Sequence, residues 1–344
     1  MSTEPNRFRH GLVLGKFYPP HAGHHHLIRT ALRACDRVTV EVLASQVESI
    51  SLADRLAWLR EDHPTARVVG GTDEAEVDYD SPAAWDAHLI PIRALLDEPV
   101  DAVFTSDPYG AELARRLDAH WVQFDPGRTD NQVSGTAVRG DLAGHWHELS
   151  AATRAGLAVR VVVLGAESTG STTLAEDLAA RFGAAWVPEY GREHTFTRDG
   201  GLAEPWRPDE FDLIVDRQIA WEDAALRRTP VPLLVCDTDV LATALWHERY
   251  VGTPAPRILQ RAAEHQPALY LLTGDEIPWV DDGSRDGEHI RHAMQQRFRE
   301  ALAAQPVPWV EVRGTPAERL ARAVPLVEQV VAQRTRFAPP LEQR

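Results

Sequence analysis

The chain has 344 residues, 44% apolar and 25% charged, which is the composition of a folded globular protein long enough for two domains. A formal net charge of −15, with no basic tail or patch, argues against nucleic acid as a partner and leaves small anionic ligands to local sites. No apolar stretch approaches the ~18 residues of a membrane span and Met1–Arg9 lacks an apolar signal core, so the cytoplasm is the expected compartment and no membrane contact is expected.

In chain order, the apolar run Gly11–Gly15 reads as a buried strand. His24–Cys35 follows as a helix, with Leu27, Ile28, Ala31, Leu32 and Cys35 on one face. Val38–Leu43 is the next strand. Ser51–Glu61 is a helix with Ser51 at the N-cap and Asp54 in its first turn. A short strand at Val68–Val69, a helix at Pro82–Leu96, a strand at Ala102–Thr105, a helix at Gly110–Leu117 and a strand at Trp121–Phe124 complete the first cycle. Alternation of strand and helix at this spacing implies a parallel sheet with helices on both faces.

A second cycle opens with the strand Val159–Leu164, a Gly-rich turn and a helix at Thr172–Phe182. Val231–Cys236 and Ala268–Thr273 are further buried strands. Pro316–Gln333 is a closing helix with Thr315 as N-cap, in which Pro325 should produce a kink or a split. The boundary between the cycles lies near Ala151–Gly156, giving expected domains of residues 8–152 and 157–334. The tail Thr335–Arg344 is expected to be loose. The two cysteines, Cys35 and Cys236, read as core thiols.

Between the first strand and first helix lies Gly15-Lys16-Phe17-Tyr18-Pro19-Pro20-His21-Ala22-Gly23-His24, the place where open parallel sheets bind ligands. Gly15 and Gly23 let the backbone come close to a phosphate. His21 and His24, three apart, can place two imidazoles beside one oxyanion, and the helix N-terminus adds free N–H groups. Lys16, the only lysine in the chain, supplies a mobile cation. A metal-binding histidine run or a chance polar turn is the competing explanation, and His25 and His26 fit a plain helix face. A second segment, Ser134-Gly135-Thr136-Ala137-Val138-Arg139, offers the Ser134 and Thr136 hydroxyls and a forked contact from Arg139. Alone it would be an ordinary N-cap.

The turn Gly165-Ala166-Glu167-Ser168-Thr169-Gly170-Ser171-Thr172, followed by Thr173, has P-loop spacing between a strand and a helix. Its amides can hold phosphates, and Thr172 is a candidate Mg²⁺ ligand. The position of the P-loop lysine is Ser171, which cannot supply that charge. Any substitute cation must be an arginine, with Arg192, Arg285 and Arg291 as candidates. Asp237 and Asp239, at the end of a strand, suit Mg²⁺ or a substrate hydroxyl, or else a helix N-cap. Glu189, Tyr190 and Arg192 form either a substrate wall or a polar turn, and Trp279–Arg285 either a lid or a surface loop.

The first two segments resemble the G-K-F-x-P-x-H-x-G-H and S-x-T-x-x-R signatures of the nucleotidyltransferase superfamily, over roughly residues 10–147. That resemblance implies in-line attack on the α-phosphate of ATP, with His21, His24, Lys16 and Arg139 stabilising the charge and Gly15, Phe17, Gly23, Ser134 and Thr136 in the ATP site. Mg²⁺ would share the charge. The whole chain resembles the NadR-type bifunctional proteins, which join nicotinamide mononucleotide adenylyltransferase to ribosylnicotinamide kinase. It does so through Thr105-Ser106-Asp107-Pro108-Tyr109-Gly110, Asp125-Pro126-Gly127-Arg128, the P-loop and Asp237-Thr238-Asp239. The resemblance implies an α/β fold with an N-terminal Rossmann-like nucleotidyltransferase domain and a P-loop kinase-like domain. Its implied partners are ATP, nicotinamide mononucleotide and, at the second site, nicotinamide riboside; a homo-oligomer is left open. Repressor members carry an N-terminal helix-turn-helix, but only about ten residues precede the first strand here, so DNA binding is not expected. With Ser171 in the lysine position, the second domain is either a weakened kinase or a sensor of ATP or the riboside.

Overall fold

The computed structural model describes residues 7–125, 127, 133–280 and 287–341. The chain divides into two compact units, residues 1–156 with 336–344, and residues 157–335.

The first unit runs β1 (Phe8–Gly15), α1 (Ala22–Ala34), β2 (Cys35–Ala44), α2 (Leu52–Asp62), β3 (Arg67–Thr72), α3 (Pro82–Leu95), β4 (Ala102–Thr105), α4 (Tyr109–Arg116), β5 (His120–Gln123), α5 (Gly135–Gly140) and α6 (Ala151–Leu157). Its five strands are all parallel, in the order β3-β2-β1-β4-β5. The order reverses between β1 and β4, so a crevice opens where the loops after these two strands part. One face of the sheet packs Val13, Val38, Val40 and Val42 against Leu27, Ile28, Ala31 and Leu59 from α1 and α2. The other packs Leu12, Leu43 and Val103 against Trp85, Leu89 and Ile92 of α3. Cys35 is not the last residue of the helix but the first of β2, because its extended backbone continues straight into the strand. It is a buried free thiol, as is Cys236.

Glu41 interrupts this core. It alternates with Val40 and Val42 on β2, is 0% exposed, and neither carboxyl oxygen has a hydrogen-bond partner among the described residues. Burial pushes its pKa up to about 8, opposed only in part by the charge of Arg67. The folded chain therefore holds a proton that the unfolded chain has already released, and stability falls as pH rises from about 4.5 to about 8. Glu41→Gln is expected to raise the melting temperature at pH 8 and to leave it nearly unchanged at pH 4.5. A pH-independent difference in the melting curves would contradict this.

The second unit runs β6 (Val159–Leu164), α7 (Ser171–Phe182), β7 (Ala185–Val187), α8 (Tyr190–Thr197), α9 (Pro208–Leu226), β8 (Leu233–Asp237), α10 (Val240–Val251), α11 (Pro256–Glu264), β9 (Leu269–Thr273), α12 (Arg291–Ala303), β10 (Trp309–Val312) and α13 (Pro316–Arg334). Its sheet is also wholly parallel, in the order β10-β9-β6-β8-β7, so β6 is central and buried on both faces. The register sets Val163 of β6 beside Asp237 of β8, which brings that carboxylate to the strand end next to the following loop. The expected break at Pro325 does not occur: α13 is one 19-residue helix. A capping box between Thr315 and Glu318 starts it, and burial of Ala323, Val327 and Val330 holds it across the missing N–H. The described part of the tail also differs from expectation, while residues 342–344 lie outside the described residues. Phe337 and Ala338 are fixed to the first unit through Tyr18 and Ser49. No helix among the described residues is long and apolar enough to cross a membrane.

Candidate functional sites

At the crevice between β1 and β4 the first unit holds a cavity of about 480 Å³, within the size range of small-molecule sites. Gly15, Lys16, Phe17, His21, Gly23, His24, Ser134, Thr136 and Arg139 all line it. The loop leaving β1 takes Phe17 through the left-handed region at φ 48°, which costs of the order of 1–3 kcal/mol for such a residue. The ring is held by burial, 1% exposed, and by contact with the His24 imidazole at 4.8 Å. His21 sits at the N-cap of α1 without a side-chain capping bond, and its ring lies 3.8 Å from that of His24. The first turn of α1 carries no acidic residue, so its positive end remains available to an anion.

Arg139 ties the two separate sequence segments together. One guanidinium nitrogen donates to the Tyr18 carbonyl at 2.7 Å and another to the Thr136 hydroxyl at 3.2 Å, while the group lies over the Tyr18 ring at 5.1 Å. Ser134 does cap α5, accepting from the Ala137 N–H at 3.1 Å. Beneath the loop is a buried pair that sequence reasoning missed. Arg55 binds Glu48 at 2.7 Å and donates to the Lys16 carbonyl at 2.9 Å, while the Lys16 ammonium lies 3.8 Å from the other oxygen of Glu48. Tyr79 and Tyr109, stacked 6.0 Å apart, and Trp85 give the cavity an aromatic wall. His25, on α1, is buried against His63: the rings bond at 2.8 Å, and burial pushes both pKa values down to about 4. Among the described residues no group of three or more histidine, cysteine, aspartate or glutamate side chains is arranged to hold a metal ion.

The second unit carries a cavity of about 170 Å³ around the P-loop, lined by Gly165, Glu167, Ser168, Thr169, Gly170, Ser171, Thr172, Thr173, Glu189 and Arg192. Gly170 has φ 80°, and a Cβ on Gly165 would come within 2.5 Å of the Thr169 and Thr273 hydroxyls, so both positions require glycine. Two buried arginines hold the loop from behind. Arg319 donates to the carbonyls of Thr169 and Gly274, and Arg291 to those of Ser168 and Ile277. Arg291 therefore serves the loop backbone and does not line the cavity. Arg192 does line it, and Arg285 lies outside the described residues.

Thr172 donates to Asp237 at 2.5 Å. Burial pushes the Asp237 carboxyl up, opposed by bonds from the Thr172 and Ser171 hydroxyls and by the charge of Arg192. Ser171 thus faces Asp237. Asp239 is elsewhere: it caps α10 through the Leu241 and Ala242 N–H groups and accepts from the Tyr270 hydroxyl at 2.7 Å. Burial pushes its pKa up to about 6. Glu189 to Glu193 is not a polar turn but the start of α8, and the Tyr190 ring packs on Trp221 at 4.9 Å outside the cavity lining. The sequence reading missed the aromatic side of the cavity, made by Trp206, Phe211, Trp246 and Tyr250. Trp206 and Tyr250 are 5.4 Å apart, and Trp246 and Tyr250 are 6.1 Å apart. Trp246 and Tyr250 are four apart on α10, a spacing that places them on one face.

A family model described as an AAA domain matches residues 160–319. Over 347 aligned residues the chain is 27% identical to the trifunctional NAD biosynthesis/regulator protein NadR of Salmonella typhimurium, covering 94% of this chain and 83% of that protein. The chain is a homologue of NadR. A nicotinamide-nucleotide adenylyltransferase of Caldivirga maquilingensis is 28% identical over 154 residues, 40% of this chain and 81% of that one. A crystal structure of NadR protein in complex with NR superposes with a TM-score of 0.69 at 23% identity, covering 96% of this chain and 98% of the other. The two-unit α/β fold is therefore that of NadR, with a P-loop-type domain in the second unit.

Proposed function

We propose that the first unit transfers an adenylyl group from ATP to nicotinamide mononucleotide. The mononucleotide phosphate oxygen attacks the α-phosphorus of ATP, the bond to the β-phosphate oxygen breaks, and NAD and pyrophosphate leave. The observation that carries this reading is Arg139 bonded to the Tyr18 carbonyl, which joins the two phosphate-binding segments at one cavity. Lys16, His21, His24 and Arg139 converge on that cavity as donors for the developing charge, at the positive end of α1. The attacking oxygen comes from the acceptor, so these groups need only orient and stabilise. Homology to NadR and to a nicotinamide-nucleotide adenylyltransferase supports the choice of reaction.

For the second unit we propose a nucleoside site. The riboside hydroxyl would attack the γ-phosphorus of ATP, releasing ADP and giving the mononucleotide. Three indole or phenol rings together with Glu167 and Glu189 suit a flat cationic ring, and the NadR structure in complex with NR is consistent with it. Thr172 and Asp237 would hold Mg²⁺ there. A hydroxyl and one carboxylate leave the remaining positions to phosphate oxygens and water, as this hard cation requires. When bound, it would neutralise charge on the transferred phosphoryl group. Ser171 favours a second reading, in which this unit binds nucleotide or riboside and reports on it without transferring phosphate.

The deciding experiment is a product assay. Protein, Mg²⁺-ATP and either mononucleotide or riboside are mixed, and dinucleotide and ADP are measured separately. Dinucleotide from the mononucleotide is expected, and its absence would refute the transferase reading. Tyr250→Ala is expected to weaken riboside binding about tenfold, the size of a desolvated cation–π contact, with dinucleotide formation unchanged. Equal riboside affinity in calorimetry would remove the aromatic cage from the site.

A further inference from the structure

Tyr18 is the residue through which the two halves of the first site meet. It is 2% exposed, and everything around it is specified. The Arg55 and Arg139 guanidinium groups lie over its ring at 4.9 Å and 5.1 Å. Its carbonyl accepts from Arg139. Its hydroxyl accepts from the Ser49 N–H at 2.9 Å and donates to the Ala338 carbonyl at 2.9 Å. The Ala338 N–H in turn donates to the Ser49 hydroxyl at 3.1 Å, which closes a ring of bonds among Tyr18, Ser49 and Ala338. The Phe337 ring meets the Tyr18 ring edge-on at 6.0 Å and 78°, and Pro340 is buried. Residues from the last ten of the chain thus complete the housing of a side chain whose own carbonyl positions the arginine of the first cavity.

We propose that residues 336–341 form a strap that holds Tyr18, and through it Arg139, in register for phosphate contact at the first site. This rests on the transferase reading of that site. The strap residues do not line the cavity, so Phe337 and Ala338 are positioning residues. A small shift of Tyr18 moves the carbonyl to which Arg139 is bonded, and misplacement of a charge-stabilising group by about 1 Å costs up to about 10²-fold in rate.

The test uses the full chain carrying Phe337→Ala or Ala338→Pro, the second of which deletes the N–H that binds Ser49. Each is expected to lower kcat/KM for dinucleotide formation about tenfold, as a fraction of that positional loss, chiefly through a higher KM for ATP. Combined with Tyr18→Phe, Ala338→Pro should lower it no further than Tyr18→Phe alone, because both act through the contact at the Tyr18 hydroxyl. A variant that merely loosened the fold would instead add its loss to that of Tyr18→Phe. Amide hydrogen exchange over residues 16–21 and at Ser49 is expected to quicken in both variants, with or without substrates. Wild-type kcat/KM in both variants, or unchanged exchange in both, overturns the strap. Should the intact protein make no dinucleotide, the transferase reading fails, and the exchange measurement still decides the strap by itself.

Discussion

His24→Ala is expected to lower kcat for dinucleotide formation by on the order of 10²-fold or more, with a much smaller change in the KM for the mononucleotide. That is the usual loss when one preorganised donor to a developing charge is removed from a water-poor site. The geometry explains why the effect should be large. The imidazole packs against the Phe17 ring at 4.8 Å and the His21 ring at 3.8 Å, which fixes its position in the cavity. Removing it also exposes the Phe17 face that holds the strained loop at φ 48°, so part of the loss will come from the loop. His24→Gln, which keeps bulk and a donor, should recover a measurable share of the activity. A loss below threefold in His24→Ala, measured by initial rates under saturating ATP, would take His24 out of the reaction.

Ser171→Lys is expected to raise phosphorylation of nicotinamide riboside by about 10²-fold, the scale associated with a single charged donor on a transferred phosphoryl group. The P-loop is otherwise intact: its glycines sit where only glycine fits, its carbonyls are held by Arg319 and Arg291, and Thr172 reaches Asp237. The lysine would have to leave the Asp237 contact that Ser171 makes and extend into the cavity beside Arg192. The rate is read as ADP released with riboside as acceptor. If turnover stays flat while riboside binding is retained, the second unit is a sensor. If the unsubstituted protein already phosphorylates fast, Arg192 is the residue to remove next, since it is the cavity-lining cation among the described residues closest in role to the missing lysine.

The parallel sheets, the two glycine-bearing loops that line the cavities and their order were legible because they rest on local signals. Apolar runs end in glycine, then a helix starts, and that punctuation survives any tertiary context. The aromatic side of the second cavity was not legible in the same way. Trp206 comes from the stretch before α9, and Trp246 and Tyr250 from α10, so no contiguous pattern announces their meeting. The Arg55–Glu48 pair beneath Lys16 was hidden for another reason: a charged residue on a short helix reads as a solvated face, and only the fold reveals it as 0% exposed. Asp239 and Tyr190 went the other way. Their neighbours in sequence line the second cavity, but helix capping and core packing claim these two side chains.

The order of the units along the polypeptide has a practical result. The second unit occupies residues 157–335, with segments of the first on either side of it in sequence. A single cut therefore cannot yield two whole halves. A fragment stopped at Gly156 leaves Tyr18 and Ser49 without Phe337 and Ala338, whereas a chain in which a linker replaces the intervening residues keeps both partners of that contact.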